Sequence, residues 1–305
     1  MSSAVPRSIG IAPFAGVARA PFLLLPVTLV AAGTGAAAVA GQVNWPFAGL
    51  ALLGMLGVHI AVNALNEASD FKRGIDLETE RTPFSGGSGT LPEGRLGYRQ
   101  AVTTGLVGGA IGIIIGMYFL TVVGWALVPI LALGAIAVFA YTDVLARIYV
   151  GELFAGLGLG ALPVIGTTLV QTGRYEAVAV AASLPAFFMT FNLLLLNEFP
   201  DVAPDLKGGR RNLIRLLGRP GAARLYALFA GLVPLSIVAA VVAGYLPLLG
   251  VVAVVPSLIF LPRPVGWALR SPQEPLPVPA LGANVAWNLS TNTLLAVALG
   301  VAASL

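Results

Sequence analysis

The sequence predicts an all-α integral membrane protein, with about nine transmembrane helices around a central cavity. Three observations carry this. The 305-residue chain is 57% hydrophobic with a mean hydropathy of +0.91, which is more apolar surface than a soluble domain of this size can hide. Apolar runs of spanning length recur along it, separated by turn signals. Its basic residues fall almost wholly on one side of the resulting topology.

The expected spans are 20–40, 47–68, 100–119, 124–141, 151–171, 177–198, 223–243, 246–262 and 281–303. The stretch Phe22 to Ala40 lacks a signal-peptide layout and is read as a retained first helix. Prolines 247, 256 and 262 bracket the eighth span. With the N-terminus, Arg7 included, placed in the cytoplasm, every one of the 17 Lys and Arg residues except Arg174 lies in a cytoplasmic segment, as the positive-inside rule requires. The C-terminus then falls on the opposite side, and a cell (inner) membrane is the expected location. Trp45 and Trp125 fall in short outer connections, where an aromatic belt would place them. The chain reads as a single domain, 1–305. Without cysteine it has neither disulfides nor thiolate metal ligands. His59, the one histidine, excludes a histidine-based metal site and reads as a structural hydrogen-bonding group.

Two long cytoplasmic connections follow the second and sixth helices as cap loops. The first, Asp70 to Arg99, contains Ser85-Gly86-Gly87-Ser88-Gly89; the second, Asp201 to Arg219, contains Gly208-Gly209. Each opens on the same tetrad, Asn66-Glu67-x-x-Asp70 and Asn197-Glu198-x-x-Asp201, 131 residues apart. An offset of four helices puts both copies on one face with one chain direction. If the second helix continues through its motif, Asn63, Asn66 or Glu67, and Asp70 share a helical face, with Asp76 following. In the second motif Asn197, Asp201 and Asp205 are spaced by four and also share a helical face, and Pro200 and Pro204 would kink or loosen that helix.

Carboxylate and amide oxygens are hard ligands suited to Mg²⁺, which keeps several waters and bridges a few carboxylates to substrate phosphates. Neighbouring Lys and Arg would neutralise the remaining phosphate charge. The residues therefore describe a diphosphate site, able to stabilise the charge on a departing diphosphate while apolar helices shelter the carbon it leaves. One such motif alone could equally be a solvated loop with weak surface ion pairs. Two on one face point to a site.

The motif Asn66-Glu67-x-x-Asp70-x-Lys72-Arg73-Gly74-x-Asp76 resembles the first aspartate-rich motif of the UbiA superfamily of intramembrane prenyltransferases. Asp201-x-x-x-Asp205-x-Lys207-x-Gly209-Arg210-Arg211 resembles the second. Gly151-Glu152, with Tyr141 and Arg147 before it, adds to the likeness. The resemblance implies Mg²⁺-dependent transfer of an isoprenyl chain from its diphosphate to an aromatic acceptor within the lipid bilayer, with no nucleic acid and no obligatory protein partner. The spacing looks most like the menaquinone branch, whose acceptor is dihydroxynaphthoate. Departures at Glu67 (usually Asp), Asn212 (often Thr), Pro200 (often Arg) and Asp143 keep other acceptors open: hydroxybenzoate, homogentisate, a tetrapyrrole or a glycerol-phosphate lipid.

By this resemblance Asn66, Asp70 and Asp76 hold one Mg²⁺, and Asp201 and Asp205 the other. Lys72, Arg73, Lys207 and Arg211 contact diphosphate, joined by Arg81 and Arg147. Asp70 and Asp201 carry catalysis. Tyr141 either faces the allylic carbon, where its ring favours a cation, or is an interfacial tyrosine. Glu67, Asn63, Asn197 and Glu152 are further candidates, the last also readable as a favourable charge at a helix N-terminus. Asn192, Asn284 and Asn288 read as structural bonds across the bundle. An ion-coupled carrier is the rival from another class. Against it stand the even helix offset and the position of the acids at helix ends rather than at the midplane.

Overall fold

The computed structural model describes residues 10–79, 81–142 and 144–305, with only the backbone of Glu78. Arg7 and Asp143 lie outside the described residues. Every regular element among those described is helical. In chain order these are α1 Ile11–Val17, α2 Leu24–Val39, α3 Trp45–Lys72, α4 Ile75–Glu78, α5 Tyr98–Val123, α6 Val128–Phe139 and α7 Gly151–Gly156. There follow α8 Leu162–Thr172, α9 Ala177–Asn197, α10 Val202–Lys207, α11 Leu213–Val242, α12 Val255–Phe260, α13 Pro262–Arg270 and α14 Val278–Ala302.

Local chemistry sets several of these ends. Asn44 caps α3 by accepting from the Phe47 N–H at 3.0 Å, with Pro46 in the first turn. Asn212 caps α11 in the same way through the Arg215 N–H at 3.1 Å. Gly173 ends α8 in the left-handed conformation, φ +74°.

Helices α3 and α5 pack antiparallel at close range. A Cβ on Gly57 would lie 2.6 Å from the Gly108 carbonyl oxygen, so the helices meet through small residues, as membrane helices commonly do. The chain then reverses at Gly124, φ +74°. A Cβ on Gly109 would lie 3.1 Å from the Phe139 ring, and one on Gly116 would meet Leu131, so α6 runs back beside α5. The main core joins α2, α9, α11 and α14 around Leu29, Met189, Tyr226, Trp287 and Leu295.

The nine expected spans fall into fewer helical runs, because two of them, 100–119 and 124–141, lie in the single run Tyr98–Phe139, which reverses at Gly124. Seven helical runs among the described residues are long and apolar enough to cross a membrane, or eight if the pair Leu248–Phe260 and Pro262–Arg270, bent by 53°, is one span. The expected span 124–141 holds an α-helix of only 12 residues after a 3₁₀ turn, about 18 Å long and short of a bilayer core. The expected span 246–262 is broken, as its prolines foreshadow. The helix expected from 223 begins after a break at Gly218 (φ +71°, ψ 160°), which separates it from a short helical segment starting at Leu213. Trp45 and Trp125 are 73% and 85% exposed and share the end of the bundle opposite Asp70.

Candidate functional site

Two carboxylate groups meet at the other end. Asn66, Glu67, Asp70 and Asp76 come from the end of α3 and from α4. The turn between these helices is made at Gly74, φ +78°, a conformation glycine adopts freely. The second group is Asn197, Glu198, Asp201 and Asp205. Here α9 stops at Asn197, a turn spans Glu198 to Asp201, and α10 begins at Val202. The Asn197, Asp201 and Asp205 side chains therefore do not share one continuous helical face: Pro200 sits in the turn and ends the helix rather than kinking it.

Arg210 joins the groups. Its Nη2 donates to Asn66 Oδ1 at 2.6 Å and to Asp70 Oδ1 and Oδ2 at 2.5 and 2.6 Å. Its Nε lies 3.8 Å from Asp205 Oδ1. The segment carrying it is pinned on both sides. Gly209 turns the chain at φ +82°, and the Arg211 N–H donates to the Ala146 carbonyl at 2.8 Å.

The electrostatics are those of crowded, buried acids. Burial, then the charges of Asp70 and Glu67, push the Asp76 carboxyl up to about 7. Burial and then Asp205 push Asp201 up to about 7, although the Gly86 amide works in the other direction. Burial raises Asp205 to about 6 against the opposing pull of Arg210. For Arg210, burial works against its charge, but Asp70 and Asp205 more than offset this and hold its pKa above the ordinary value. Glu198 is raised well above the carboxylate range by burial and then by Glu152 and Asp205. Tyr141 is raised by burial and then by Glu198. More negative charge is gathered here than Arg210 alone neutralises.

The residues present fit a Mg²⁺ ion. Buried oxygens of Asp76, Asn197, Glu198 and Asp201 find no hydrogen-bond partner among the described residues, and they are hard ligands. No group of three His, Asp or Glu among those residues closes on one point. Such a set suits an ion that takes its remaining ligands from water and phosphate.

Other expected residues sit as follows. Glu67 turns to the loop, accepting from the Ser88 N–H and Oγ at 2.6 Å each, with Arg19 Nε 4.0 Å away. Asn63 leaves the site and donates to the Ala18 carbonyl at 2.9 Å. Glu152 is buried beside Tyr141 and Glu198, and its Oε1 accepts from the Leu213 N–H at 2.6 Å, so it caps α11. Lys72, Arg147, Lys207 and Arg211 are exposed around this end, and Arg73 is half-buried. Arg81 is drawn to Glu93 at 2.7 Å.

Sequence reasoning missed three residues as site candidates. Glu198 stands inside the repeated tetrad, so its signal was present. Arg210 was one of several basic residues in its loop, with nothing in the spacing to single it out. Arg19 belongs to a distant segment.

Below Tyr141 an apolar cavity of about 270 Å³ runs between α3, α5, α6 and the α7–α8 run. Fold and site together define a class: an all-helical membrane protein with an acid- and arginine-lined mouth at one end of its bundle and an apolar cavity among its helices. Residues 24–275 match the UbiA prenyltransferase family, and the chain belongs to that family.

Among its relatives is the 1,4-dihydroxy-2-naphthoate octaprenyltransferase of Bacillus subtilis (strain 168). It is 29% identical over 63% of this chain, and the match spans 62% of the relative's own length. The Mycobacterium tuberculosis (strain ATCC 25618 / H37Rv) protein of the same name is 30% identical over 68% of this chain and 69% of its own. The fold is shared with a UbiA homolog from Aeropyrum pernix K1 (TM-score 0.64, 16% identity, 91% of this chain and 98% of that one). It is shared too with a UbiA homolog from Archaeoglobus fulgidus bound to GPP and Mg²⁺ (TM-score 0.62, 14% identity, 95% of this chain and 99% of that one).

Proposed function

We propose that this chain is a Mg²⁺-dependent prenyltransferase that moves an isoprenyl group from its diphosphate to an aromatic acceptor, with 1,4-dihydroxy-2-naphthoate the acceptor its curated relatives favour. The observation that carries the reading is the meeting of two acid groups around Arg210 at one end of an apolar helix bundle. Family membership and the Mg²⁺ and GPP named for the Archaeoglobus homolog support it.

Asn66, Asp70 and Asp76 would hold one ion, and Asp201 and Asp205 the other. When bound, Mg²⁺ supplies charge that stabilises the departing diphosphate. Lys72, Arg73, Lys207 and Arg211 would meet the diphosphate oxygens, with Arg81 and Arg147 as further candidates, and Arg210 fixes the spacing of the acids. The allylic C–O bond breaks, the Tyr141 ring faces the carbon left positive, a new C–C bond forms to the acceptor ring, and the ring sheds a proton. The buried helices keep water from the cation. This mouth and the N-terminus would then face the cytoplasm, with the C-terminus across the cell membrane, a reading that the basic asymmetry of the chain supports.

Purified protein in lipid nanodiscs, given geranylgeranyl diphosphate and dihydroxynaphthoate, should release diphosphate and form prenylated product with Mg²⁺, and neither with EDTA. Product from hydroxybenzoate, homogentisate or a glycerol phosphate alone would reassign the acceptor. No diphosphate release with any acceptor would overturn the reading.

A further inference from the structure

Resting on that reading, we infer that the far part of the isoprenyl tail lies in the apolar cavity along α6, and that Gly134 and Gly166 set the longest tail the protein accepts.

The cavity is placed to receive a tail. Val138 and Phe139, on its upper wall, stand just before Tyr141 in the chain, and its floor is reached at Ala51, Phe119 and Leu127. The wall is almost wholly apolar, with Thr167 its sole hydroxyl-bearing residue, so a diphosphate or a polar acceptor has no partner deep inside while a hydrocarbon does. Depth can be read along α6. Gly134 lies five residues below Phe139, about 7.5 Å at the helical rise, and Ile130 about 6 Å further. An extended isoprene unit covers about 5 Å, four carbon–carbon bonds of ordinary length. A tail that starts beside Tyr141 therefore passes Gly134 within its first few units and meets the level of Ile130 about one unit later.

The two glycines differ from those at the helix contacts, and unlike the other open helical glycines, Gly49, Gly231, Gly266 and Gly300, they line the cavity. Gly57 and Gly108 are glycines because the backbone of a neighbouring helix leaves no room for a side chain. At Gly134 a Cβ would meet nothing within 4 Å, and at Gly166 it would make only ordinary contact, 3.4 Å from Ile130 Cγ2. Both line the cavity. Glycine in a helix interior lowers helix stability, and here no packing demand requires it. What its absence of side chain preserves is open volume. Gly134 guards the upper level and Gly166, against Ile130, the lower one. The cavity also has a side opening, since Ile113, Met117 and Phe139 on its wall are 53%, 54% and 46% exposed. The rival route for a long tail is thus outwards between α5 and α6 into lipid.

The test compares the wild type, Gly134→Leu and Gly166→Leu in nanodiscs with Mg²⁺ and dihydroxynaphthoate. Diphosphate release is measured with geranyl, farnesyl, geranylgeranyl and octaprenyl diphosphates, and thermal unfolding is recorded for each protein; Gly134→Val serves if the leucine variant does not fold. The expected result is turnover of geranyl diphosphate close to wild type in both variants. Turnover of geranylgeranyl diphosphate, whose four units match the roughly 21 Å from Tyr141 to Leu127 along the chain of α6, should fall at least about tenfold, a factor that crowding by a few methylenes commonly produces. The cutoff in Gly134→Leu should come at a shorter tail than in Gly166→Leu. An unchanged length profile in both folded variants overturns the inference and sends the tail sideways into lipid. Equal loss at every length, geranyl included, also overturns it. A wild type that releases no diphosphate from any substrate overturns the proposed function itself, and the inference with it.

Discussion

Arg210 Nη2 lies 2.5 Å from Asp70 Oδ1 across 140 positions of sequence, and both side chains are at least nine-tenths buried. This pair binds the first acid group to the segment that follows the second. Because Arg210 also reaches Asp205 at 3.8 Å, it spaces the two halves of the site as well as neutralising them.

Replacing Arg210 by Met should therefore be costly in two separable ways. Removing one partner of a buried ion pair leaves the other charge unpaired, a loss of about 3–5 kcal/mol. Thermal unfolding in detergent should show a lower transition for Arg210→Met. Combining it with Asp70→Asn should recover much of the loss, while prenyl transfer stays absent in both. A single variant as stable as wild type would show that the pair holds nothing together.

Asp201 predicts the opposite sign for stability. Its Oδ1 is buried without a hydrogen-bond partner among the described residues, and its neighbours include Asp205. In metal-free protein its charge is a burden on the fold. Asp201→Asn should raise the thermal transition measured in EDTA, remove the further rise that Mg²⁺ gives the wild type, and abolish turnover. Such a trade of stability for function is common where like charges are gathered for a ligand. An Asp201→Asn protein that turns over at near wild-type rate would remove this residue from the site.

What was legible in advance followed from periodicity and charge. Hydropathy marked most helices, and the repeated tetrad placed Asp70 and Asp201 at one end, because a membrane forces helix ends and carboxylates to coincide with its surface. Side-chain direction was not legible. Asn63 shares the stripe of Asn66 and Asp70, yet it bonds to the Ala18 carbonyl, because α1 happens to lie there. Glu67 carries the same charge as Asp70, yet it serves the Ser88 loop. The face shared by Asn197 and Asp201 was lost for a local reason: a continuous helix was assumed where Pro200 ends it. Arg210 was hidden because its partners are set by tertiary packing, which no spacing records.

The Glu67–Ser88 contact predicts a local latch. Glu67 accepts both the Ser88 amide and hydroxyl at 2.6 Å and holds the Ser85–Gly89 segment over Asp76. Leu91 and Leu96 beyond it pack independently on Val17, Ala64 and Ala68. Glu67→Ala should then release only the glycine-rich segment, leaving a buried amide unsatisfied at a cost of about 1–3 kcal/mol. Hydrogen exchange should speed up at residues 85–90 while the amides of Leu91 and Leu96 keep their protection. The KM for isoprenyl diphosphate should rise more than kcat falls, since the loop covers the ligand rather than reacting with it. Uniform exchange across the loop, unchanged from wild type, would show that the latch carries no weight.

About one and a half turns along α9 from Asn197, a closed ring of bonds ties α9, α11 and α14. Tyr226 Oη donates to Asn284 Oδ1 at 2.9 Å, Asn284 Nδ2 to the Asn192 carbonyl at 3.3 Å, and Asn192 Nδ2 to the Tyr226 carbonyl at 3.0 Å. All three side chains are essentially buried, so each amide and hydroxyl removed from the ring leaves its partner without water to turn to. In lipid such bonds are worth about 0.6 kcal/mol on average and at most about 2. Tyr226→Phe keeps the ring packing and deletes one donor. It should lower the thermal transition by an amount in that range and leave the prenyl-transfer rate and its dependence on tail length unchanged. Because Asn284 Oδ1 is left orphaned in that variant, adding Asn284→Leu should cost less than Asn284→Leu does alone. Additive losses in the double variant would mean the three groups do not act as one ring, and a changed rate in Tyr226→Phe would tie this ring to the chemistry at the mouth.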